Sequence, residues 1–149
     1  MTLDASMAGL WLFGMFEADD PKIVATMEAM IARLTIKTDV GGLARYENDY
    51  YFQVSKVVAN VAGNPWIVCT MSIAHWYAMR AQSVDELQKA IDILLWATAH
   101  ALPSGVLAEQ LDPYTGKPLS VAPLTWSHAA YVLATHAVAR RANELAGSK

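Results

Sequence analysis

Asp20-Pro21-Lys22-Ile23-Val24-Ala25-Thr26-Met27-Glu28-Ala29-Met30-Ile31-Ala32-Arg33-Leu34 carries its own start signal and a single apolar stripe. Asp20 is a natural N-cap, and Pro21 fills the first helical position, where a missing N–H costs nothing. Ile23, Met27, Met30, Ile31 and Leu34 recur at helical spacing, so one face is built for a core and the other for water. Ser83-Val84-Asp85-Glu86 opens a second helix of this kind with a capping-box spacing. There Leu87, Ile91, Leu94 and Leu95 share the apolar face, while Asp85, Gln88, Lys89 and Asp92 stay outside.

Three further helices, over residues 5–16, 65–79 and 126–139, are apolar almost all round and are expected to be buried on several sides. In chain order the five run inner, outer, inner, outer, inner. That alternation predicts an all-α fold of concentric layers built from successive helix pairs, because an ordinary four-helix bundle would leave every helix one-faced. Antiparallel neighbours also bring the two long loops, 35–64 and 101–125, out at the same end. Nearly all the unusual polar and aromatic residues lie in those loops, so a site is expected there. The Gly105 turn and the Pro113-Tyr114-Thr115-Gly116-Lys117-Pro118 cluster mark the second loop as ordered, and ordered loops of such length are usually functional.

Composition narrows the classes. The chain has 149 residues, enough for one domain or one piece of a larger one. With 54% hydrophobic and 17% charged residues it is too apolar for a disordered role, and some apolar surface is expected to need a partner. The longest uncharged apolar run, 7–16, falls short of the roughly 18–20 residues of a membrane span, so no membrane role is expected. A net charge of −3 without a Lys/Arg cluster argues against nucleic acid. Asp4 stands where an export leader would carry a basic residue. No signal peptide is read, and the compartment stays open, the cytoplasm being compatible. Cys69 reads as a small buried hydrophobe. His75, His100, His128 and His136 lack metal-ligand spacing, and neither metal nor cofactor is expected. Trp11, Trp76 and Trp96 fall within helices and read as packing.

The first loop mixes Arg45, carboxylates and flat aromatics, the blend that sugars need for their hydroxyls and C–H faces. An equally open reading has Arg45 simply pairing with Glu47 or Asp49, and Trp66 anchoring a core at a helix start. Four motifs add to this: Arg45-Tyr46-Glu47-x-Asp49-x-Tyr51, Gly63-Asn64-Pro65-Trp66-Ile67-Val68-Cys69-Thr70, Gly105-Val106-Leu107-Ala108-Glu109-Gln110 and Pro123-Leu124-Thr125-Trp126-Ser127-His128. In order and placement they resemble the C-terminal third of glycoside hydrolase family 15, the glucoamylases, glucodextranases and related enzymes. The resemblance runs from about Asp4 to the end of the fifth helix.

The resemblance implies a partial (α/α)6 toroid, with residues 1–149 as the C-terminal portion of an incomplete catalytic domain. It implies inverting exo-hydrolysis of α-glucosidic bonds in an α-glucan or small α-glucoside. In that chemistry a carboxylic acid protonates the leaving oxygen and a second carboxylate, roughly 6.5–9.5 Å away, activates water. Glu109 matches the general base, Arg45 a substrate-binding arginine, and Trp66 an aromatic bordering the sugar. Tyr46, Asp49 and Tyr51 match the surrounding motif. Gln110 either holds the base or faces the backbone, and Trp126 either packs at its helix start or lines the pocket floor. The family's general acid lies N-terminal to every residue present. The isolated chain is therefore expected to be inactive or nearly so, and to self-associate or bind a complementary N-terminal segment. The alternative is a catalytically inactive helical module that binds carbohydrate or serves as an assembly surface.

Overall fold

The computed structural model describes residues 2–147. Asp4 caps a 3-10 turn over Ala5–Ala8 by accepting from Ser6 N at 2.8 Å, and the turn runs into α1 (Gly9–Leu12). The helix expected over 5–16 thus ends after Leu12. Gly14, at φ +76°, turns the chain, and the N–H groups of Met15 and Phe16 both return to Leu10 O, a glycine-terminated helix end. Next come α2 (Pro21–Leu34), capped by Asp20, α3 (Ile67–Arg80), α4 (Val84–Ala99), capped by Ser83, and α5 (Thr125–Gly147). α3 begins later than its apolar run because Pro65 and Trp66 are in extended bridges with Ala44 and Gln110. α5 runs past residue 139. Arg140 and Arg141 both reach Glu144 within a turn, pairs that support an exposed last stretch.

The apolar stripe of α2 (Ile23, Met27, Met30, Leu34) packs with Trp11, Ile73 and Trp76 into one buried cluster. Each such side chain contributes roughly 1.5–3 kcal/mol when removed from water. Trp76 closes the seam by donating from Nε1 to Ala18 O at 2.9 Å. A second cluster joins Ile67, Met71 and Ala74 of α3 with Leu94 and Ala97 of α4, Ala134 of α5, and Leu107 and Leu111 of the second loop. α3 is therefore central, with α4 and α5 both against it and against each other. The helices form an arc of alternating inner and outer members, a partial toroid. α5 is covered on one side only: Trp126, Val132 and Leu133 are more than half exposed, as are Phe13 and Met15 beyond α1. No helix among the described residues is long and apolar enough to cross a membrane.

The fold is not purely helical. β1 (Gln110–Leu111) pairs antiparallel with β2 (Pro118–Leu119), and single bridges join Asp4 to Tyr46, Thr35 to Leu43, Ala44 to Pro65 and Trp66 to Gln110. Long loops laid over helix ends must still satisfy their backbone groups, and these ladders do so. Gly42 sits at φ +82°, where an added Cβ would meet Trp96 Cζ2 at 2.7 Å and Pro65 Cβ at 2.9 Å. Gly105, at φ +80°, faces open space. Gly105→Ala should cost about 1–2 kcal/mol of left-handed strain. Gly42→Ala should cost that plus the clash, read as a larger drop in urea midpoint. Equal losses would remove the steric part of this account.

Candidate active site

The two long loops meet where α3 and α5 begin. Trp66 N donates to Leu43 O at 2.8 Å, Leu111 N to Pro65 O at 2.9 Å, and Ile67 N to Glu109 O at 3.2 Å. The Arg45 segment, the start of α3 and the Glu109 segment are thus adjacent strips of backbone. Tyr114 Oη donates to Ser55 Oγ at 2.7 Å, and Tyr51 Oη lies 3.5 Å from Ser120 Oγ, so the loops also touch through side chains.

Arg45 holds the first half of the cluster. Its Nε and Nη2 donate to the two carboxylate oxygens of Asp49 at 2.9 and 2.8 Å, a bidentate pair with Asp49 only 1% exposed. The guanidinium lies over three rings, with Cζ 4.4 Å from the Trp66 centroid, 4.8 Å from Tyr46 and 5.5 Å from Tyr51. Burial works against its charge, yet the bonded carboxylate outweighs this and the Arg45 pKa lies above its ordinary value. Burial first, and then Asp49, push the Tyr46 phenol up as well. Asp49 Oδ1 also accepts from Tyr51 N at 3.0 Å, and the Tyr51 ring leans toward Trp66 at 6.1 Å. Trp66 is buried, and its indole N–H has no partner among the described residues.

Of the two partners open to Arg45, then, Asp49 is the one used. Glu47 is engaged elsewhere: it accepts from Arg33 Nε at 2.9 Å and from Leu3 N at 3.3 Å, tying the end of α2 and the chain start to this loop. The Leu3 N–H and then Arg33 hold the Glu47 carboxyl below its ordinary value. Asp112 is likewise lowered: desolvation opposes, but the N–H groups of Tyr114 and Thr115, both bonded to Oδ1 at 2.9 Å, prevail. A carboxylate with a depressed folded-state pKa stabilises above its unfolded value and loses that contribution as pH falls through the folded one. Stability should therefore decline below about pH 4, and less steeply in Glu47→Gln and Asp112→Asn chains. Unfolding midpoints measured from pH 7 down to 3 check this.

Glu109 is half-buried, with its N–H on Val121 O at 2.9 Å and its carbonyl on Ile67 N. Its Oε2 lies 3.5 Å from Gln110 Nε2. Gln110, fully buried, accepts through Oε1 from Asn64 Nδ2 at 2.9 Å. The same Asn64 nitrogen donates to Phe52 O at 2.8 Å, and Asn64 Oδ1 accepts from Val54 N at 3.3 Å. This buried amide pair links the loop after Tyr51 to the residue beside Glu109. Sequence reading assigned Asn64 no role. Its signal was its position directly before Pro65-Trp66. Trp126 stands apart: it is 66% exposed in the first turn of α5, without a ring contact to the cluster among the described residues. An open cleft of about 520 Å³ lies at the other end of the helices, lined by Glu17, Asp19, Tyr77, Arg80, Glu86 and Lys89, and shares no residue with this cluster.

The model of the glycosyl hydrolases family 15 matches residues 78–136, a span that includes Glu109, Gln110 and Trp126 but stops short of Arg45 and Trp66. An uncharacterised glycosyl hydrolase of Methanocaldococcus jannaschii is 30% identical over 142 residues, 89% of this chain and 21% of that protein. A bacterial glucoamylase solved in complex with acarbose superimposes with a TM-score of 0.78 at 26% identity, over 95% of this chain and 21% of its own. This chain therefore resembles a segment of the family 15 glycosyl hydrolases. A glucoamylase of a Clostridium species is a further relative, 28% identical over 136 residues, 88% of this chain and 18% of its own length. The segment thus spans about a fifth of the length of the relatives it matches. The partial toroid is the part of the glucoamylase-like fold that this segment supplies.

Proposed function

We propose that this chain supplies the general base and part of the sugar pocket of an inverting exo-acting hydrolase of α-glucosidic bonds. Glu109 is the base, deprotonating the water that attacks the anomeric carbon. Arg45, held by Asp49 and flanked by Tyr46 and Tyr51, presents its free guanidinium edge to sugar hydroxyls. Trp66 borders the ring, Gln110 steadies Glu109, and Trp126 lines the outer wall once a neighbouring helix covers it. One observation carries the reading: Glu109, through Ile67 N and Gln110, lies one backbone strip from a charged, aromatic cluster suited to a sugar. Likeness to the acarbose-bound glucoamylase supports an α-glucoside as the ligand.

The acid half of the chemistry lies with a complementary N-terminal segment, since Glu47 and Asp49 are both committed to guanidinium partners. The bare faces of α5 and of Phe13 and Met15 are where that segment docks, or where copies of this chain associate in its absence. The same bare faces are the observation favouring the second reading, a helical carbohydrate-binding or assembly module without activity.

Hydrolysis of maltose and isomaltose by the chain, with and without an upstream segment, separates the two. The proposal expects little or no activity alone and a gain on complementation. A stable complex that binds glucoside yet hydrolyses nothing would favour the module.

A further inference from the structure

The backbone around Glu109 allows a nearly complete accounting of its hydrogen bonds. Leu107 O accepts from Leu124 N at 3.0 Å, Ala108 O from the buried Ser127 hydroxyl at 2.8 Å, Glu109 N donates to Val121 O, and Glu109 O accepts from Ile67 N. Leu107 N is different. It donates to an imidazole, His128 Nε2, at 3.0 Å, rather than to a backbone carbonyl. His128 and Ser127 are neighbours in the first turn of α5, so that turn grips both residues preceding Glu109 through side chains. The imidazole must carry its proton on Nδ1 to accept there.

The contact also fixes geometry. Residues 102–106 form a tight turn, with Gly105 N on Leu102 O at 2.7 Å and Leu102 N on Val106 O at 2.9 Å. That turn leaves Leu107 entering the Glu109 segment beside a hollow of about 350 Å³ lined by Thr98, Leu102, Pro103, His128 and Tyr131. Leu107 itself is buried, and water is a poor substitute for its lost acceptor. Without the ring, the backbone before Glu109 could swing toward the hollow.

We propose that His128 is a positioning residue for Glu109, holding the backbone that aims its carboxylate. The inference rests on the reading of Glu109 as the base for its functional meaning, but its physical content is separable. The test uses the full chain labelled with ¹³C at glutamate Cδ and ¹⁵N in the backbone, the Glu109 resonance being identified by its loss in Glu109→Gln. His128→Phe keeps a ring and removes the acceptor, while His128→Gln keeps an acceptor. The expected result is a displaced Glu109 Cδ resonance and roughly tenfold faster amide exchange at Leu107 and Glu109 in His128→Phe, with the α3 amides from Met71 onward unchanged and both effects restored in His128→Gln. Uniformly faster exchange across the chain, or an unmoved Glu109 resonance, would overturn the proposal. Should His128→Phe fail to fold, His128→Ala is compared with His128→Gln in its place: faster exchange at Leu107 and a displaced Glu109 resonance in His128→Ala but not in His128→Gln support it, and equal behaviour of the two variants overturns it. If instead Glu109→Gln leaves hydrolysis by the complemented enzyme intact, the base reading fails while the positioning result stands on its own.

Discussion

Glu109→Gln should lower turnover of maltose by the complemented enzyme by about 10²- to 10⁴-fold while leaving KM within a few-fold of its original value. The amide keeps the size of the side chain and the contact with Gln110, so substrate still fits. What it loses is the ability to take a proton from water in the transition state. The backbone of Glu109 is held by Val121 and Ile67 independently of the side chain, so the substitution should not disturb the loop. Steady-state kinetics, with the unfolding midpoint as a control, check both halves of this expectation. A rise in KM at unchanged turnover would make Glu109 a binding residue.

The second large effect belongs to Arg45. Its removal leaves the Asp49 carboxylate, 1% exposed, without a cation and with only neutral donors, the Tyr51 N–H and the Tyr46 phenol, beside it. Breaking a fully buried ion pair costs about 3–5 kcal/mol. The Arg45 side chain, however, is 34% exposed, so water reaches the pair, and a loss nearer about 2 kcal/mol is expected for Arg45→Ala. In a chain of this size that corresponds to a fall of about 4–8 °C in Tm. Arg45→Ala with Asp49→Asn should recover part of the loss, because the stranded charge is gone. The double variant should still fail to bind glucoside if the free guanidinium edge contacts sugar. Calorimetric unfolding of the two singles and the double separates the structural share from the binding share.

These contacts also mark where the sequence was readable. Asp20-Pro21 and Ser83-Val84-Asp85-Glu86 announced α2 and α4 to the residue because capping is local chemistry. The meeting of the two long loops followed from antiparallel helix order. The first helix was overextended because its apolar run continues through Met15 and Phe16, while Gly14 turns the backbone. Residues 65–66 read as helix for a similar reason: their composition suits one, but distant strips from Ala44 and Gln110 take their backbone groups.

The site divides along the same line. Arg45 and Glu109 stood out by type and spacing. Which carboxylate Arg45 would choose did not, since Glu47 and Asp49 are equally near in sequence. The choice was made by Arg33, fourteen residues away, drawing Glu47 to α2. The Asn64–Gln110 pair spans 46 residues, and the His128 grip on Leu107 spans 21. Neither has a local pattern to betray it. Trp126 is a reminder of the limit: a tryptophan in the right motif still faces solvent in this chain.

The central claim is that Arg45, Trp66 and Glu109 serve one sugar. Its most direct measurement is a titration of the ¹⁵N- and ¹³C-labelled chain, joined by its complementary segment, with acarbose followed by NMR. The account predicts that the Arg45 guanidinium, the Trp66 indole and the Glu109 carboxyl resonances shift together with a single affinity. Shifts confined to the Tyr77–Lys89 cleft, or movement of Arg45 and Trp66 while Glu109 stays still, would contradict it.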